Sequence, residues 1–365
     1  MYSLPQSYNQ TSKCKRCISS NAYVEKHCEA LYVNIAKLYN AIDIFVFRRK
    51  PYIVSTPDYN RLHFIDLPST QIKGVETVIH SFFSTWVSII KRADIIHYHN
   101  IGPALFSPLA KLFGIKVVLT YHSANYEHKK WGRFARLVLK LSEKIAFIFS
   151  DKIIFVNKFQ MEKSSPKFKN KYVYIPNGIP KIKLSEKIDF IQKLGLQRKK
   201  YILAVGRITP EKGFDILIKA FSHLNTDYKL VIAGGVETER SYYKELQNMG
   251  PSERVVFTGY TFGDDLCQLY SNAALFVLSS RNEGFPIVLL EAMAYKLDVL
   301  VSDIPATHLV DLDRNDYFEL DKEGSLEKKI LDKLQNIKSR NYNLVDFDWS
   351  KIANQVYDIY HALIK

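Results

Sequence analysis

Short runs of β-branched and aromatic residues recur along the chain, separated by segments whose apolar residues return every three or four positions. The first pattern predicts strands, the second amphipathic helices, and their alternation predicts βαβ units in parallel sheets. Strands are expected near Ile42–Arg48, Leu62–Leu67, Asp94–His99, Lys116–His122, Lys152–Val156 and Tyr172–Ile175 in the first half. In the second half they are expected near Tyr201–Gly206, Lys229–Ala233, Val255–Thr258, Ala274–Leu278 and Asp298–Ser302. Helical spacing marks Val24–Tyr39, Phe214–Leu224, Ile287–Tyr295 and a last amphipathic segment, Trp349–Ile364. The pattern is that of two α/β doubly wound domains in tandem, residues 1–180 and 181–347, followed by a terminal helix over 348–365. The seam falls between Pro176 and about Lys200, where Pro176-Asn177-Gly178-Ile179-Pro180 gives way to a Lys-rich stretch without strong periodicity. Two such domains facing one another would form a cleft lined by the carboxyl ends of both sheets, where open α/β sheets bind ligands.

A length of 365 residues, 47% hydrophobic and 24% charged, suits two domains of roughly 150–200 residues and excludes disorder, collagen repeats and a coiled coil as the main architecture. Apolar runs such as Ala104–Ala110 and Ile145–Ser150 break off well short of the ~18 residues of a membrane span. The N-terminus carries no basic region followed by an apolar stretch, so no secretory signal is expected and the chain is placed in the cytoplasm. Four cysteines cannot frame a chain this long with disulfides. Cys14 and Cys17 form one Cys-x-x-Cys, with His27 and Cys28 further on; a zinc ribbon usually repeats that pair, so these are read as incidental thiols in a basic segment, and no metal is expected. The net charge of +14 is uneven: residues 1–180 hold 26 basic against 11 acidic side chains, and 181–365 hold 25 against 26. The basic half suits an anionic partner, whether nucleic acid, an anionic leaflet or a phosphate-bearing substrate.

Two strand-to-helix turns carry candidate chemistry. The strand Tyr201–Val205 runs into Gly206-Arg207-Ile208-Thr209-Pro210-Glu211-Lys212-Gly213. Glycine permits close backbone approach, and Arg207 and Lys212 could set two cations over one diphosphate; the alternative is a turn with two solvated charges. Strand Ala274–Leu278 runs into Ser279-Ser280-Arg281-Asn282-Glu283-Gly284-Phe285-Pro286 and then a helix containing Glu291. Pro286 fits a first-turn proline, and Gly284-Phe285 leave backbone N–H groups at a helix N-terminus, an anion site. A carboxylate facing a diphosphate is repelled, so the natural partners of Glu283 and Glu291 are hydroxyls, of a sugar and a ribose; the alternative is an N-terminal Glu serving the helix dipole plus a surface Glu.

These residues resemble the donor half of the retaining glycosyltransferases of family 4, which have the GT-B fold. The resemblance rests on Gly206-Arg207 with Lys212-Gly213, then Glu283-Gly284-Phe285-Pro286 and Glu291. It continues through Val24-Glu25-Lys26-His27, the run from Asp94 to Pro103, Thr120-Tyr121-His122, Lys130-Trp131-Gly132 and Ile175-Pro176-Asn177-Gly178, which look like a bacterial branch with rhamnosyltransferase-like enzymes of surface polysaccharide assembly, capsule or O-antigen. The resemblance implies a nucleotide-diphosphate sugar held mainly by the second domain. Arg207 and Lys212, with Gly206, would hold the diphosphate; Glu283 and the backbone of Gly284, Phe285 and Pro286 the sugar; Glu291 the ribose; and the base would lie against the turn at Tyr260. Catalytic roles would fall to Glu283, Arg207, Lys212 and His122, the last contacting the transferred sugar, with His99 and Asn177 on the acceptor side. Either histidine could instead be a hydrogen-bonded structural residue. The resemblance further implies a first domain on the acceptor side, a terminal helix crossing back onto it, and no cofactor or metal beyond the nucleotide sugar.

Departures from the family pattern are specific. Met1–Ser20 shows no convincing first strand, and Ala22-Tyr23 stands where two glycines usually precede Val24-Glu25. Lys296 occupies a position where a helix-ending glycine is expected, and Asp298 one where proline usually follows. Lys129, Arg133, Arg136, Lys140 and Lys144 recur at helical spacing with Trp131, Phe134, Val138, Leu141 and Ile145; with Val78–Ile90, bearing Phe82, Phe83 and Trp86 before Lys91-Arg92, they suggest peripheral contact with an anionic inner leaflet, where a lipid-linked acceptor would reside, the alternative being a core-facing helix with a solvated basic side. The reading is a glycosyltransferase acting on a lipid-linked or glycan acceptor. The alternative is a catalytically weak nucleotide-sugar-binding or assembly subunit with an incomplete first domain. Nucleic-acid binding is not expected, because the basic residues coincide with no reader module.

Overall fold

The computed structural model describes residues 22–40, 42–50, 59, 61–72, 75–123, 132–179, 182, 184–236, 240–251 and 253–365, apart from the side chains of 22–26 and 134. Cys14, Cys17, the expected first strand and Lys129–Trp131 lie outside the described residues. The chain divides into two compact units, Met1–Pro180 with Asp346–Lys365, and Lys181–Val345.

The first unit opens with helix α1 (Ala22–Leu38) and a parallel pair, β1 (Ile44–Arg49) and β2 (Leu62–Leu67). Helix α2 (Val75–Ile90) leads to β3 (Ile95–His99), α3 (Ser107–Leu112), β4 (Lys116–Tyr121), α4 (Arg133–Phe149), β5 (Lys152–Phe155), α5 (Lys158–Lys163) and β6 (Tyr172–Tyr174). Strands β3 to β6 form one parallel sheet in sequential order. Its two faces separate cleanly. Ile96, Tyr98, Val117, Leu119, Ile153 and Phe155 pack toward Ala146 and Phe147 of α4. Val118 and Ile154 face α1, with Leu31 and Ile35, and the terminal helix α12 (Trp349–Ile364), with Ile352, Ala353 and Val356. Parallel strands buried on both faces read as apolar runs, which is why these segments were so legible. Helix α12 is capped by Asp348, whose carboxylate accepts from Ser350 N at 2.8 Å. Its first residue lies on the turn after β6: a Cβ at Gly178 would stand 2.6 Å from the Trp349 ring.

The second unit holds α6 (Asp189–Lys193), β7 (Tyr201–Val205), α7 (Phe214–Ser222), β8 (Lys229–Ala233), α8 (Arg240–Met249), β9 (Val255–Gly259), α9 (Gly263–Asn272), β10 (Leu275–Leu278), α10 (Ile287–Ala294), β11 (Asp298–Ser302), β12 (Tyr317–Phe318) and α11 (Ser325–Gln335). Its sheet runs β12-β11-β10-β7-β8-β9, all parallel. The chain builds outward from β7 in one direction and then restarts at β10 in the other. The switch point therefore lies between β7 and β10, where doubly wound sheets open a crevice at their carboxyl ends. Strand β12, two residues long, gives no sequence pattern to read.

Two departures from the family pattern acquire physical reasons here. Lys296 ends α10 at φ 59°, the left-handed conformation for which glycine is favoured. Asp298 is buried at the start of β11, and its Oδ1 accepts from Lys333 Nζ at 2.7 Å and Arg340 Nη1 at 3.2 Å. Both cations also reach Asp316 Oδ1, each at 2.6 Å. A proline at 298 could not hold α11 and the segment after it to the sheet in this way. Lys296→Gly should raise stability by about 1 kcal/mol by relieving the left-handed side chain. Urea unfolding checks this, and an unchanged or lower midpoint contradicts it.

Candidate functional site

In the second unit the two motif turns follow β7 and β10, the strands flanking the switch point. They are joined through main chain and side chain. Arg281 N donates to Glu211 O at 2.8 Å, and Ser279 Oγ to Lys212 O at 3.1 Å. The Arg281 guanidinium donates to Pro210 O at 2.8 Å and spans Asp215 at 2.8 and 2.6 Å. Burial pushes the Asp215 carboxyl up, but bonds from Arg281 and from Tyr242, at 2.7 Å, hold it below the usual carboxylate range. Sequence reasoning missed Arg281, Asp215 and Ser279, because nothing in either motif alone marks residues that bind across turns some seventy positions apart.

Lys212 and Glu283 are brought together: Nζ donates to Oε1 at 2.6 Å, both side chains being largely shielded from solvent. Ser280 Oγ donates to the same oxygen at 2.6 Å. The cation and the carboxylate, read from sequence as serving separate parts of a ligand, are one ion pair in this structure. The Lys212 stem crosses Gly206, its Cδ lying 3.3 Å from where a Cβ would sit. Arg207 is exposed. Gly284 is half-buried and Phe285 and Pro286 are buried. Pro286 precedes the helix as its cap rather than forming its first turn, since α10 begins at Ile287. Glu291, on the second turn of α10, accepts from Tyr270 of α9 at 2.9 Å, another partner the sequence did not reveal. Tyr260 follows β9 and is 54% exposed, its ring parallel to the exposed Phe262 with centroids 6.0 Å apart.

The first unit gathers histidines. His97 and His99 alternate with Ile96 and Tyr98 along β3, so both imidazoles lie on the α1 and α12 face, with Thr120 and His122 at the end of β4. His97 is fully engaged, Nδ1 with Tyr360 Oη at 2.5 Å and Nε2 with Thr120 Oγ1 at 2.7 Å. His99 Nε2 meets Tyr32 Oη at 2.7 Å, and its Nδ1 faces His122 Nε2 at 3.3 Å. His27 completes the group, edge-on to His122, His99 and Trp349. His122 is buried among these imidazoles. Burial lowers the His27 pKa to about 4, the nearby Asn177 amide pulling slightly the other way without an aligned hydrogen bond. Burial and the neighbouring imidazoles also hold His97, His99 and His122 well below their usual range, so the whole group is neutral at pH 7. Asn177 is fully buried, with neither amide atom bonded to any described residue. Cys28, weighed with His27 as a possible metal pair, instead packs in the apolar core with Leu31 and Ile35.

Comparison with known proteins places these observations. Residues 24–181 match the model of glycosyltransferase family 4, and residues 186–341 match that of glycosyl transferases group 1. A glycosyltransferase of Methanocaldococcus jannaschii is 29% identical over 313 residues, 76% of each chain. The O-antigen chain mannosyltransferase RfbU of Salmonella typhimurium is 34% identical over 168 residues, 44% of this chain and 47% of that one. The Anabaena protein HepE, solved in complex with UDP-glucose, superposes with a TM-score of 0.72 at 17% identity, covering 99% of both chains. With both family models met in succession, and a doubly wound unit whose motif turns flank its switch point, the chain belongs to the family 4 glycosyltransferases and has the GT-B fold.

Proposed function

We propose that the protein transfers a sugar, with retention of configuration, from a nucleotide-diphosphate sugar to a lipid-linked or glycan acceptor in bacterial surface polysaccharide assembly. The observation that carries the reading is the Lys212–Glu283 pair, fixed by two turns at the switch point of the second unit. In this reading Lys212 and the exposed Arg207 hold the diphosphate, and their charge takes the place of a divalent metal there. Glu283 Oε2, which makes neither bond formed by Oε1, accepts a sugar hydroxyl, while Oε1 keeps the lysine aimed. The leaving diphosphate receives the acceptor proton as its bond to the sugar breaks, and the two cations stabilise the charge that develops. Glu291, held by Tyr270, is assigned to the ribose, the Tyr260 and Phe262 rings to the base, and the backbone of Gly284 to Pro286 to the sugar. Acceptor recognition is assigned to the first unit, with His99 and Asn177, and His122 is assigned to contact with the transferred sugar. The relatives support this reading: one is named for O-antigen mannosyl transfer, and a structural neighbour was solved with UDP-glucose.

We place the enzyme at the inner face of an anionic membrane. Among the described residues no helix is long and apolar enough to cross a bilayer. Helix α2 exposes Val78, Phe82, Phe83, Trp86 and Ile90, and α4 exposes Leu137, Val138, Leu141 and Ile148 beside Arg133, Lys140 and Lys144. The inward face of α4 packs Ala146 and Phe147 into the core, while Leu137, Val138, Leu141 and Ile148 stay exposed. Ile145, expected on the outer face, is half-buried. Such a surface gains from apolar insertion and from attraction to anionic headgroups.

Lys212→Ala and Glu283→Gln should each lower kcat about 10²- to 10³-fold with the native circular dichroism spectrum retained, each lowering the unfolding midpoint because its shielded partner is left unpaired, and turnover should survive a chelator. Near-normal turnover in both variants would remove the assignment. Flotation with vesicles containing phosphatidylglycerol should retain the protein at low salt and lose it with Trp86→Glu; equal retention by neutral vesicles contradicts the electrostatic part of the account.

A further inference from the structure

Three imidazoles of the first unit converge more closely than contact with a sugar hydroxyl by itself requires. His27, His99 and His122 each offer one ring nitrogen, and these donor atoms all lie within 4.8 Å of one another. His99 Nδ1 and His122 Nε2 are 3.3 Å apart, the edge of a tetrahedron whose metal–nitrogen bonds are about 2.05 Å. Such a centre sets imidazole ring centroids about 5 Å apart. The three pairs measure 4.8 Å for His27 and His122, 5.4 Å for His27 and His99, and 5.6 Å for His99 and His122.

The surroundings fit as well. His27 is 5% exposed, and neither of its nitrogens makes an aligned hydrogen bond to a described residue, the nearby Asn177 amide offsetting only a small part of its burial. His99 is anchored through its other nitrogen by the Tyr32 hydroxyl, the outer contact that fixes the tautomer and orientation of a metal-bound imidazole. His97, with both nitrogens engaged, stands outside the group. The three ligands come from three elements, α1 and the carboxyl ends of β3 and β4, so a bound ion would pin the helix to the sheet. We infer that His27, His99 and His122 form a site for a transition-metal dication of the zinc class, with a fourth coordination position left for water or a hydroxyl. Imidazole-only ligation favours zinc, copper or nickel over magnesium or calcium. The site is distinct from the diphosphate-binding cations of the second unit and is independent of their assignment.

The full-length protein, stripped with a chelator and dialysed to equilibrium against zinc, should retain about one equivalent by elemental analysis and unfold at a higher temperature. Cobalt in its place should give the strong visible bands of tetrahedral coordination without thiolate charge-transfer absorption. His27→Gln should abolish retention while keeping a native circular dichroism spectrum, and Cys14→Ser with Cys17→Ser should leave it intact. The inference is overturned if the parent protein holds no zinc, if His27→Gln holds as much as the parent, or if the double serine variant loses it. Should His27→Gln fail to fold, the cobalt spectrum of the parent decides: tetrahedral bands without thiolate absorption support the site, and octahedral cobalt or thiolate absorption refutes it. A loss of donor binding would leave each of these readouts unmoved.

Discussion

A Cβ at Gly213 would stand 2.0 Å from the carbonyl oxygen of Ser279. The two strand-to-helix turns of the second unit thus meet backbone against backbone, and Gly213, at φ 63°, is the residue that lets them. The part of the candidate donor site assigned to the diphosphate and sugar depends on that approach. It sets Lys212 within 2.6 Å of Glu283, allows Ser279 and Arg281 to bind the opposite main chain, and directs the Arg281 fork onto Asp215. The cost of burying charge is met locally, since the lysine, the carboxylate and a serine hydroxyl satisfy one another. A ligand would meet a positioned ion pair rather than two mobile side chains, so less ordering would remain at the moment of binding.

Much of this was legible from the sequence. Strands β2, β8 and β11 fall where the apolar runs put them, and α12 spans the residues its periodicity indicates. The motif turns were found because each couples a glycine to a charge at a strand end. Their mutual attachment was not, because it joins Lys212 to Glu283 and Asp215 to Arg281 across some seventy residues, and local spacing carries no such term. Lys296 and Asp298 looked like blemishes in a family pattern. In the fold Asp298 is a buried anchor shared by Lys333 and Arg340, a network only the packing of α11 against β11 creates.

The histidines show the same limit from the other side. Alternation along Ile96-His97-Tyr98-His99 already puts both imidazoles on one face of a strand, and the end of β4 adds His122. What could not be read is that α1 sets His27 over that face. The eye goes first to Cys14, Cys17 and Cys28, yet Cys28 is core and His27 turns to the histidines instead. Polar groups on a buried face are costly unless they pair; His97 and His99 pair with Tyr360, Thr120, Tyr32 and His122, whereas His27 makes no aligned hydrogen bond to a described residue.

The central claim is that the turn-to-turn contact at Gly213 builds a nucleotide-diphosphate site in the second unit. Thermal unfolding of the purified chain against UDP-, GDP-, dTDP- and ADP-sugars tests it most directly, because ligand at about 100 times its Kd stabilises by about 2.7 kcal/mol. The account predicts a higher midpoint with one base family, lost in Arg207→Ala. No shift with any of the four, or a shift that Arg207→Ala leaves intact, would contradict it.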